Sequence, residues 1–166
     1  MIISVAATIA ALLLTDEVTG LPAVEVRDIY ELAIEDCGAS DSCFVEAWSI
    51  LGPKGLGYRY LRESVPHEFE WAVQVLRADT TTSDLGEMAA RGYQITTWKM
   101  VRPLRLARES YEYVVLSEVG FDRENERAAV YCRMSCGRFC GTNRLVLLDR
   151  EGGTWGVTKS IKMASH

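Results

Sequence analysis

The period-two pattern that decides the fold begins in YEYVVLSEVGF, residues 111–121, and resumes in RAAVYCRM, residues 127–134. Alternation of apolar and polar residues is typical of a β-strand. In the first stretch, the side chains predicted to share one face are Tyr111, Tyr113, Val115, Val119 and Phe121. In the second stretch they are Ala128, Val130, Cys132 and Met134. Successive alternating stretches predict neighbouring antiparallel strands.

The same pattern extends to the C-terminus. Residues 145–148 predict a third strand, and the last strand is predicted to place Trp155, Val157, Ile161 and Met163 on one face. Gly152 and Gly153 lie between these strands, and glycine adopts the positive φ that tight hairpin turns need. Sequential strands joined by short connections form a β-meander.

Helical spacing dominates the upstream half of the chain. Apolar residues recur three and four positions apart in residues 22–36 and 66–78, which predicts two amphipathic helices, the first ending before Gly38. A third, short helix capped by Ser83 or Asp84 is predicted to stop at Gly92. Residues 43–51 and 93–100 predict two further strands. We therefore expect an α+β fold with N-terminal helices packed on a four- to six-stranded antiparallel β-meander.

Composition agrees with one folded domain. The 166-residue chain is 48% hydrophobic and 25% charged, which is close to the average for globular proteins. We predict a single α+β domain over residues 21–166. The formal net charge of −5 argues against a nucleic-acid partner, because such binding depends on Lys and Arg neutralising phosphates.

Residues 1–20 stand apart from this domain. The run at residues 2–14 carries no charge and is too short for a membrane span, which needs about 20 apolar residues. Its length suits the hydrophobic region of a signal peptide. However, no Lys or Arg precedes Arg27, and Asp16 and Glu17 follow the run at once. These features favour a buried N-terminal segment instead, and the protein would then be cytoplasmic.

The five cysteines leave at least one thiol over if the others pair within the chain. Cys136 and Cys140 flank a short glycine-containing loop, and Cys37 and Cys43 would tie a helix end to the next strand. Both pairs are therefore disulfide candidates. Cys132 is predicted to pack into the sheet as an unpaired thiol. Disulfides of this kind indicate an oxidising compartment, which favours export.

The spacing of Cys132, Cys136 and Cys140 permits two other interpretations. A metal or iron–sulfur site would use all three thiolates, yet C-x3-C-x3-C matches no common cluster spacing, and neither His67 nor His166 lies nearby in the sequence. A thioredoxin-like redox pair needs C-x-x-C, which the chain lacks. We therefore predict no metal site and no cofactor.

An ordered set of residues in the C-terminal third carries a resemblance. The set comprises Ser117-Glu118-Val119-Gly120-Phe121-Asp122, Ala129-Val130-Tyr131, Cys136-Gly137-Arg138-Phe139-Cys140-Gly141, Leu147-Leu148, Gly153-Thr154-Trp155-Gly156-Val157 and Ser165. It resembles the C-terminal region of a widespread group of uncharacterised bacterial proteins, many with signal peptides. Asn143 and Met163 stand where such proteins usually carry glycine and tryptophan. The resemblance implies bacterial origin and export, and it supplies no catalytic residue.

Two local motifs suggest catalysis. Residues 52–57, GPKGLG, look superficially like a phosphate loop, but Lys54 precedes the second glycine, and a turn explains the motif. His67 with Glu68 and Glu70 offers a general base and acids, although acids are also favoured in the first turns of a helix. The alternative function is thus a small enzyme that uses a reactive cysteine or the His67 and Glu70 pair.

Positive charge concentrates in a basic strip, which consists of Lys99, Arg102, Arg105 and Arg108. Arginine presents forked donors that match carboxylates and phosphates, so the strip is a candidate contact for a protein or a small anionic ligand. A connector whose charges keep it soluble is the alternative. Together, these features predict a non-catalytic, exported bacterial binding or accessory protein, periplasmic or secreted.

Overall fold

The computed structural model describes residues 23–40, 43–47, 61–78, 85–96, 98–107, 111–137 and 140–163. The helices with described bounds are α1 (Ala23–Cys37), α2 (Glu70–Ala78), α3 (Gly86–Ala90) and α4 (Trp98–Ala107), and a 3-10 turn at His67–Phe69 precedes α2. Residues 61–64 are also helical. The strands are β1 (Phe44–Ala47), β2 (Gln94–Ile95), β3 (Tyr113–Leu116), β4 (Gly120–Phe121), β5 (Arg127–Ser135), β6 (Gly141–Glu151) and β7 (Thr154–Met163).

Within these ranges, the strands form a seven-stranded mixed sheet in the order β2-β1-β3-β5-β6-β7, with β4 also paired to β5. The pairs from β3 to β7 are antiparallel, which confirms the predicted α+β class and its C-terminal meander. Strand β1 instead lies parallel to both β2 and β3. A parallel pair needs a long crossover connection, and the helices between β1 and β3 lie in that crossover.

Helices cover both faces of the sheet. Helices α1 and α3 pack on one face, where Ile29, Ala33 and Met88 contact a core that includes Val130 and Val146. Helix α2 packs on the opposite face through Ala72, Val73 and Leu76. The sheet needs both covers because consecutive residues in β5 and β6 are buried, including Ala128 to Tyr131 and Leu145 to Leu148.

A bulge in β7 overturns the prediction that Trp155, Val157, Ile161 and Met163 share a face. The register changes from Leu147 opposite Lys159 to Leu148 opposite Val157, which leaves Thr158 as an extra residue. One inserted residue exchanges the two faces of a strand because side chains alternate with period two. Trp155 therefore joins the core under α1, whereas Ile161 and Met163 join the core under α2.

The break between β3 and β4 produces a similar correction. Tyr111, Tyr113 and Val115 pack beneath Val101 of α4, as a cluster on the same face as α2. Val119 and Phe121 were predicted to share that face, but they contact the core under α1. Residues 117–119 belong to no strand, so the alternation does not carry through them.

Helix α1 confirms the predicted helix at residues 22–36 within a residue at each end, with Pro22 outside the described residues. Gly38 has a φ of 82° and ends the helix. Its N–H donates to the carbonyl of Glu35 at 2.9 Å, and the N–H of Ala39 donates to that of Ile34 at 3.3 Å. This is the left-handed C-terminal cap that glycine allows.

The predicted strand at residues 93–100 is wrong beyond Ile95. Only Gln94–Ile95 is a strand there, and Trp98–Ala107 forms helix α4. Val101 is buried while Lys99, Met100 and Arg102 are exposed, which is a helical rather than a period-two pattern. The short helix predicted before Gly92 is confirmed as α3, and its proposed caps Ser83 and Asp84 lie outside the described residues.

Candidate functional site

The basic strip lies largely on α4. Lys99 and Arg102 are exposed and three residues apart, which places them on adjacent turns of one helix surface. Arg105 belongs to α4, although its side chain is not described, and Arg108 lies outside the described residues. The structure therefore brings at least two of the four predicted residues to a common surface.

Packing fixes which side of α4 meets solvent. Val101 is only 1% exposed and contacts the cluster of Tyr111, Tyr113 and Val115. Met100 is 71% exposed, and Ile95 on the preceding strand β2 is 42% exposed. Strand β2 is the last described strand at its edge of the sheet. Exposed apolar side chains therefore occur beside the exposed cations of α4, both on the helix and on the strand that precedes it.

Cys136 and Cys140 lie at the end of the hairpin that joins β5 to β6. Their sulfur atoms are within bonding distance, and their Cα atoms are 5.2 Å apart, inside the usual range for a disulfide. Gly137 has a φ of 92°. A Cβ on Gly141 would lie 2.7 Å from the carbonyl oxygen of Met134, so the chain needs glycine at this position. The turn is thus shaped to hold the two cysteines together.

The other three cysteines converge from separate elements. Cys37 ends α1, Cys43 directly precedes β1 and Cys132 lies in β5, and all three are buried in the core under α1, where none of them forms a disulfide. The predicted pair of Cys37 and Cys43 is therefore not bridged in the structure. Cys37 and Cys132 therefore share one buried core although they are 95 residues apart in the sequence. Sequence spacing could not reveal this, because it depends on how α1 lies across the sheet.

Electrostatic effects separate these two thiols. The hydrogen bond from Cys132 lowers the pKa of Cys37 and outweighs the opposing effect of burial; Thr142 and Arg144 act in the same direction as Cys132. Burial is the main cause that raises the pKa of Cys132, and its role as donor to Cys37 raises it further.

Polar residues lie around the C-terminal end of α1 at Cys37. The hydroxyl of Thr142 donates to the carbonyl of Cys37 at 3.1 Å and lies 3.8 Å from its sulfur. The guanidinium of Arg144 donates to the hydroxyl of Ser160 at 2.9 Å and lies 3.8 Å from the carboxylate of Asp36. These contacts fix the C-terminal end of α1 on β6 and β7.

The structure separates Cys132 from Cys136 and Cys140. Cys132 is fully buried, whereas Cys136 is partly exposed and Cys140 is exposed. In the part of the chain that is described, no cluster of three or more His, Cys, Asp and Glu residues is arranged to hold a metal ion. Cys132 therefore lies in the core, apart from the more exposed turn that holds Cys136 and Cys140.

His67 and Glu70 do form a pair at the start of α2. The Nδ1 atom of His67 lies 3.2 Å from a carboxylate oxygen of Glu70, and the His67 side chain is 98% exposed. With Arg62, Val65 and Val73 they line a shallow groove of about 110 Å³. The His67 imidazole therefore faces solvent rather than an enclosed site. The loop at residues 52–57 lies outside the described residues.

Several residues of the resemblance have structural roles. Ser117 bridges β3 and β5, since its hydroxyl accepts from the N–H of Tyr131 at 2.9 Å. Asp122 accepts from the N–H groups of Glu126 and Arg127 at 3.0 and 3.1 Å, closing the turn before β5. Trp155 donates to Glu25 of α1 at 3.4 Å. These positions stabilise the fold, and they do not converge on one pocket.

No protein-family model, curated protein or solved structure matches the chain. The functional assignment therefore depends on the geometry above. Within the described ranges, no helix has the length and apolar character needed to cross a membrane.

Proposed function

We propose that the protein is a non-catalytic, exported bacterial binding module that contacts an anionic partner through α4. The observation that carries this proposal is that Lys99 and Arg102 are both exposed on α4. The opposite side of this helix packs on the sheet through Val101. The two cations are held on the outer surface because rotating α4 inward would expose Val101 and bury charge. The partner is a protein with an acidic surface or a small anionic ligand.

The rest of the protein is acidic, so an anionic partner would be attracted mainly to α4. The protein carries 23 acidic and 18 basic residues, so its formal net charge of −5 opposes the approach of an anion. A partner with negative charge would therefore be oriented toward α4, because complementary charge steers encounter and fixes register. Met100 adds apolar area beside the cations, which a charged partner surface with an apolar centre would bury.

The proposal that the protein is exported has less direct support than the proposed binding surface. It is supported by the disulfide-compatible geometry of Cys136 and Cys140, since disulfides persist in oxidising compartments such as the periplasm. The uncharged run at residues 2–14 lies outside the described residues. Mass spectrometry of protein made in its native host tests export directly, and an intact Met1 on soluble cytosolic protein contradicts it.

Binding is tested with a fluorescent polyglutamate peptide and with inorganic pyrophosphate, measured across a range of salt around 0.1 M. Replacing Lys99 and Arg102 by Gln should weaken binding several-fold and flatten its salt dependence; adding Arg105→Gln and Arg108→Gln should weaken it further. The matched control replaces Arg62 and Lys162, which are exposed on other elements, by Gln. Equal loss in both variants would show that only net charge matters and would contradict the proposal.

The alternative is a small enzyme that uses a reactive cysteine or the His67 and Glu70 pair. Hydrogen bonding and the nearby Arg144 charge act to lower the pKa of Cys37, which would favour a reactive thiol. Against it, the Cys37 residue is 1% exposed, so a substrate has no direct access. Titration with a thiol reagent before and after denaturation separates the two functions. Rapid reaction of one native thiol favours the enzyme, and reaction only after unfolding favours the binding module.

A further inference from the structure

The turn that carries Cys136 and Cys140 is built by the backbone of the β5–β6 hairpin. The two strands pair continuously up to Ser135 opposite Gly141. The N–H of Cys136 then donates to the carbonyl of Cys140 at 3.2 Å, which adds one more link beyond the last strand pair. Backbone contacts therefore account for the separation of the two Cα atoms, which is 5.2 Å.

Two glycines fit the main chain to this turn. Gly137 has a φ of 92°, in the left-handed region that other residues rarely adopt. A Cβ on Gly141 would lie 2.7 Å from the carbonyl oxygen of Met134. Both constraints act on the backbone, so they remain when the bond between the sulfur atoms is opened. The reduced turn should therefore keep its two thiols side by side.

Exposure distinguishes this pair from the other cysteines of the chain. Cys140 is exposed and Cys136 is partly exposed, whereas Cys37, Cys43 and Cys132 are each at most 1% exposed. A dissolved thiol can thus reach the bridge without any opening of the core. Exposed disulfides are typically the labile or regulatory ones, while structural disulfides resist reduction by the glutathione pool.

We propose that the Cys136–Cys140 bridge is a reversible redox site, which a low-molecular-weight thiol opens and the corresponding disulfide closes while the fold stays intact. The proposal is carried by the combination of an exposed pair with a hairpin whose backbone holds both cysteines in place. It adds a modification site to a bridge that could otherwise be only structural, and it does not rest on binding through α4.

The reaction consists of two thiol–disulfide exchanges. The thiolate of the reductant attacks the sulfur of Cys140, the more exposed residue, so that a mixed disulfide forms and Cys136 leaves as a thiolate. A second thiolate attacks the sulfur of the reductant in the mixed disulfide and releases Cys140 as a thiolate. The protein gains two electrons and two protons, and two molecules of thiol become one disulfide. Oxidation follows the same steps in reverse.

The test equilibrates the folded, oxidised full chain in buffers with graded ratios of reduced to oxidised glutathione, and adds N-ethylmaleimide under native conditions. Trypsin places Cys136 in residues 134–138 and Cys140 in residues 139–144, so mass spectrometry identifies each thiol separately. We expect both to be alkylated at the reducing ratios and bridged at the oxidising ones. The buried Cys37, Cys43 and Cys132 should stay unalkylated throughout, because the core remains closed.

The Cys136→Ser variant tests the order of the exchanges. In the wild-type protein Cys136 can return to Cys140 and expel the reductant, since their Cα atoms are only 5.2 Å apart. Without Cys136, oxidised glutathione should leave a stable adduct on the peptide of Cys140, whereas the wild-type protein should show the bridge with little adduct.

Circular dichroism of the wild-type protein shows whether the fold survives the change of redox state. The far-ultraviolet spectra of the oxidised and reduced forms should coincide, and the rate of reduction should not depend on urea below the unfolding transition, because no opening of the core is needed. A bridge that stays closed in every glutathione buffer until urea unfolds the protein, or a native spectrum lost on reduction, would overturn the proposal.

Discussion

Gly120 of strand β4 lies against the backbone of Leu76 in helix α2. A Cβ atom on Gly120 would be 2.8 Å from the backbone nitrogen of Leu76 and 2.8 Å from the backbone carbon of Val75. These neighbours are main-chain atoms of a packed helix, so they cannot move aside as the end of a flexible side chain would. The absence of a side chain at Gly120 therefore sets the distance between α2 and the sheet.

Gly120→Ala should destabilise the protein by about 2 kcal/mol, because overpacking a core typically costs 1–3 kcal/mol. The measurement is the urea midpoint at neutral pH. Gly156→Ala is the matched control, since a Cβ on Gly156 would meet no atom within 4 Å. Equal stability of the two variants would show that α2 adjusts its position easily.

Ser117→Ala should destabilise the protein by about 1–3 kcal/mol. The serine is fully buried, and its hydroxyl accepts from Tyr131 N–H at 2.9 Å while donating to the carbonyl of Glu118 at 2.8 Å. Alanine leaves both buried groups without this partner. Chemical denaturation gives the difference, with Ser135→Ala as the control at a partly exposed position of β5. A cost below that of the control would mean that Tyr131 finds another acceptor.

Asp122→Asn should lower stability at neutral pH by about 1 kcal/mol and remove part of the acid sensitivity. Burial acts to raise the pKa of Asp122, but the hydrogen bonds from Arg127 and Glu126 and the nearby Arg127 charge outweigh it, so the pKa lies below its ordinary value of 3.8. A depressed pKa contributes stability above that ordinary value, and this contribution is lost as the pH falls through the folded-state pKa.

Urea midpoints measured from neutral to acid pH check this prediction. The gap between wild-type protein and Asp122→Asn should be largest at neutral pH and should shrink as the pH falls below 3.8. Glu124→Gln removes an exposed charge from the same turn and controls for net charge. A gap that stays constant with pH would assign the effect to geometry alone.

The C-terminal strands could be predicted because their signal is local. Alternation marks each strand, and Gly152 and Gly153, with φ values of 59° and 85°, mark the turn. The exchange of faces in β7 could not be predicted, because nothing in the sequence around Thr158 marks it as the extra residue of a bulge. The parallel position of β1 beside β3 was equally hidden, since it depends on contacts across a long crossover.

The candidate sites divide in the same way. Cys136 and Cys140 are four residues apart, so their proximity could be inferred from one turn of the chain. The shared burial of Cys37 and Cys132 in one core could be predicted only if the helix, the sheet register and the packing between them were known together. Lys99 and Arg102 were identified from composition, but their common surface became visible only when residues 98–107 proved helical.

Replacing both Cys136 and Cys140 by Ser should cost about 2 kcal/mol and leave the fold intact, while a chelator should change nothing. The loop they close is short, and chain-entropy estimates for so short a loop are about 2 kcal/mol. Trypsin separates Cys132 (residues 128–133), Cys136 (134–138) and Cys140 (139–144), so a non-reducing map identifies the bridge in wild-type protein. Urea denaturation with and without chelator supplies the energetic comparison. Unfolding by chelator would contradict the bridge, because only a bound metal makes stability depend on chelation.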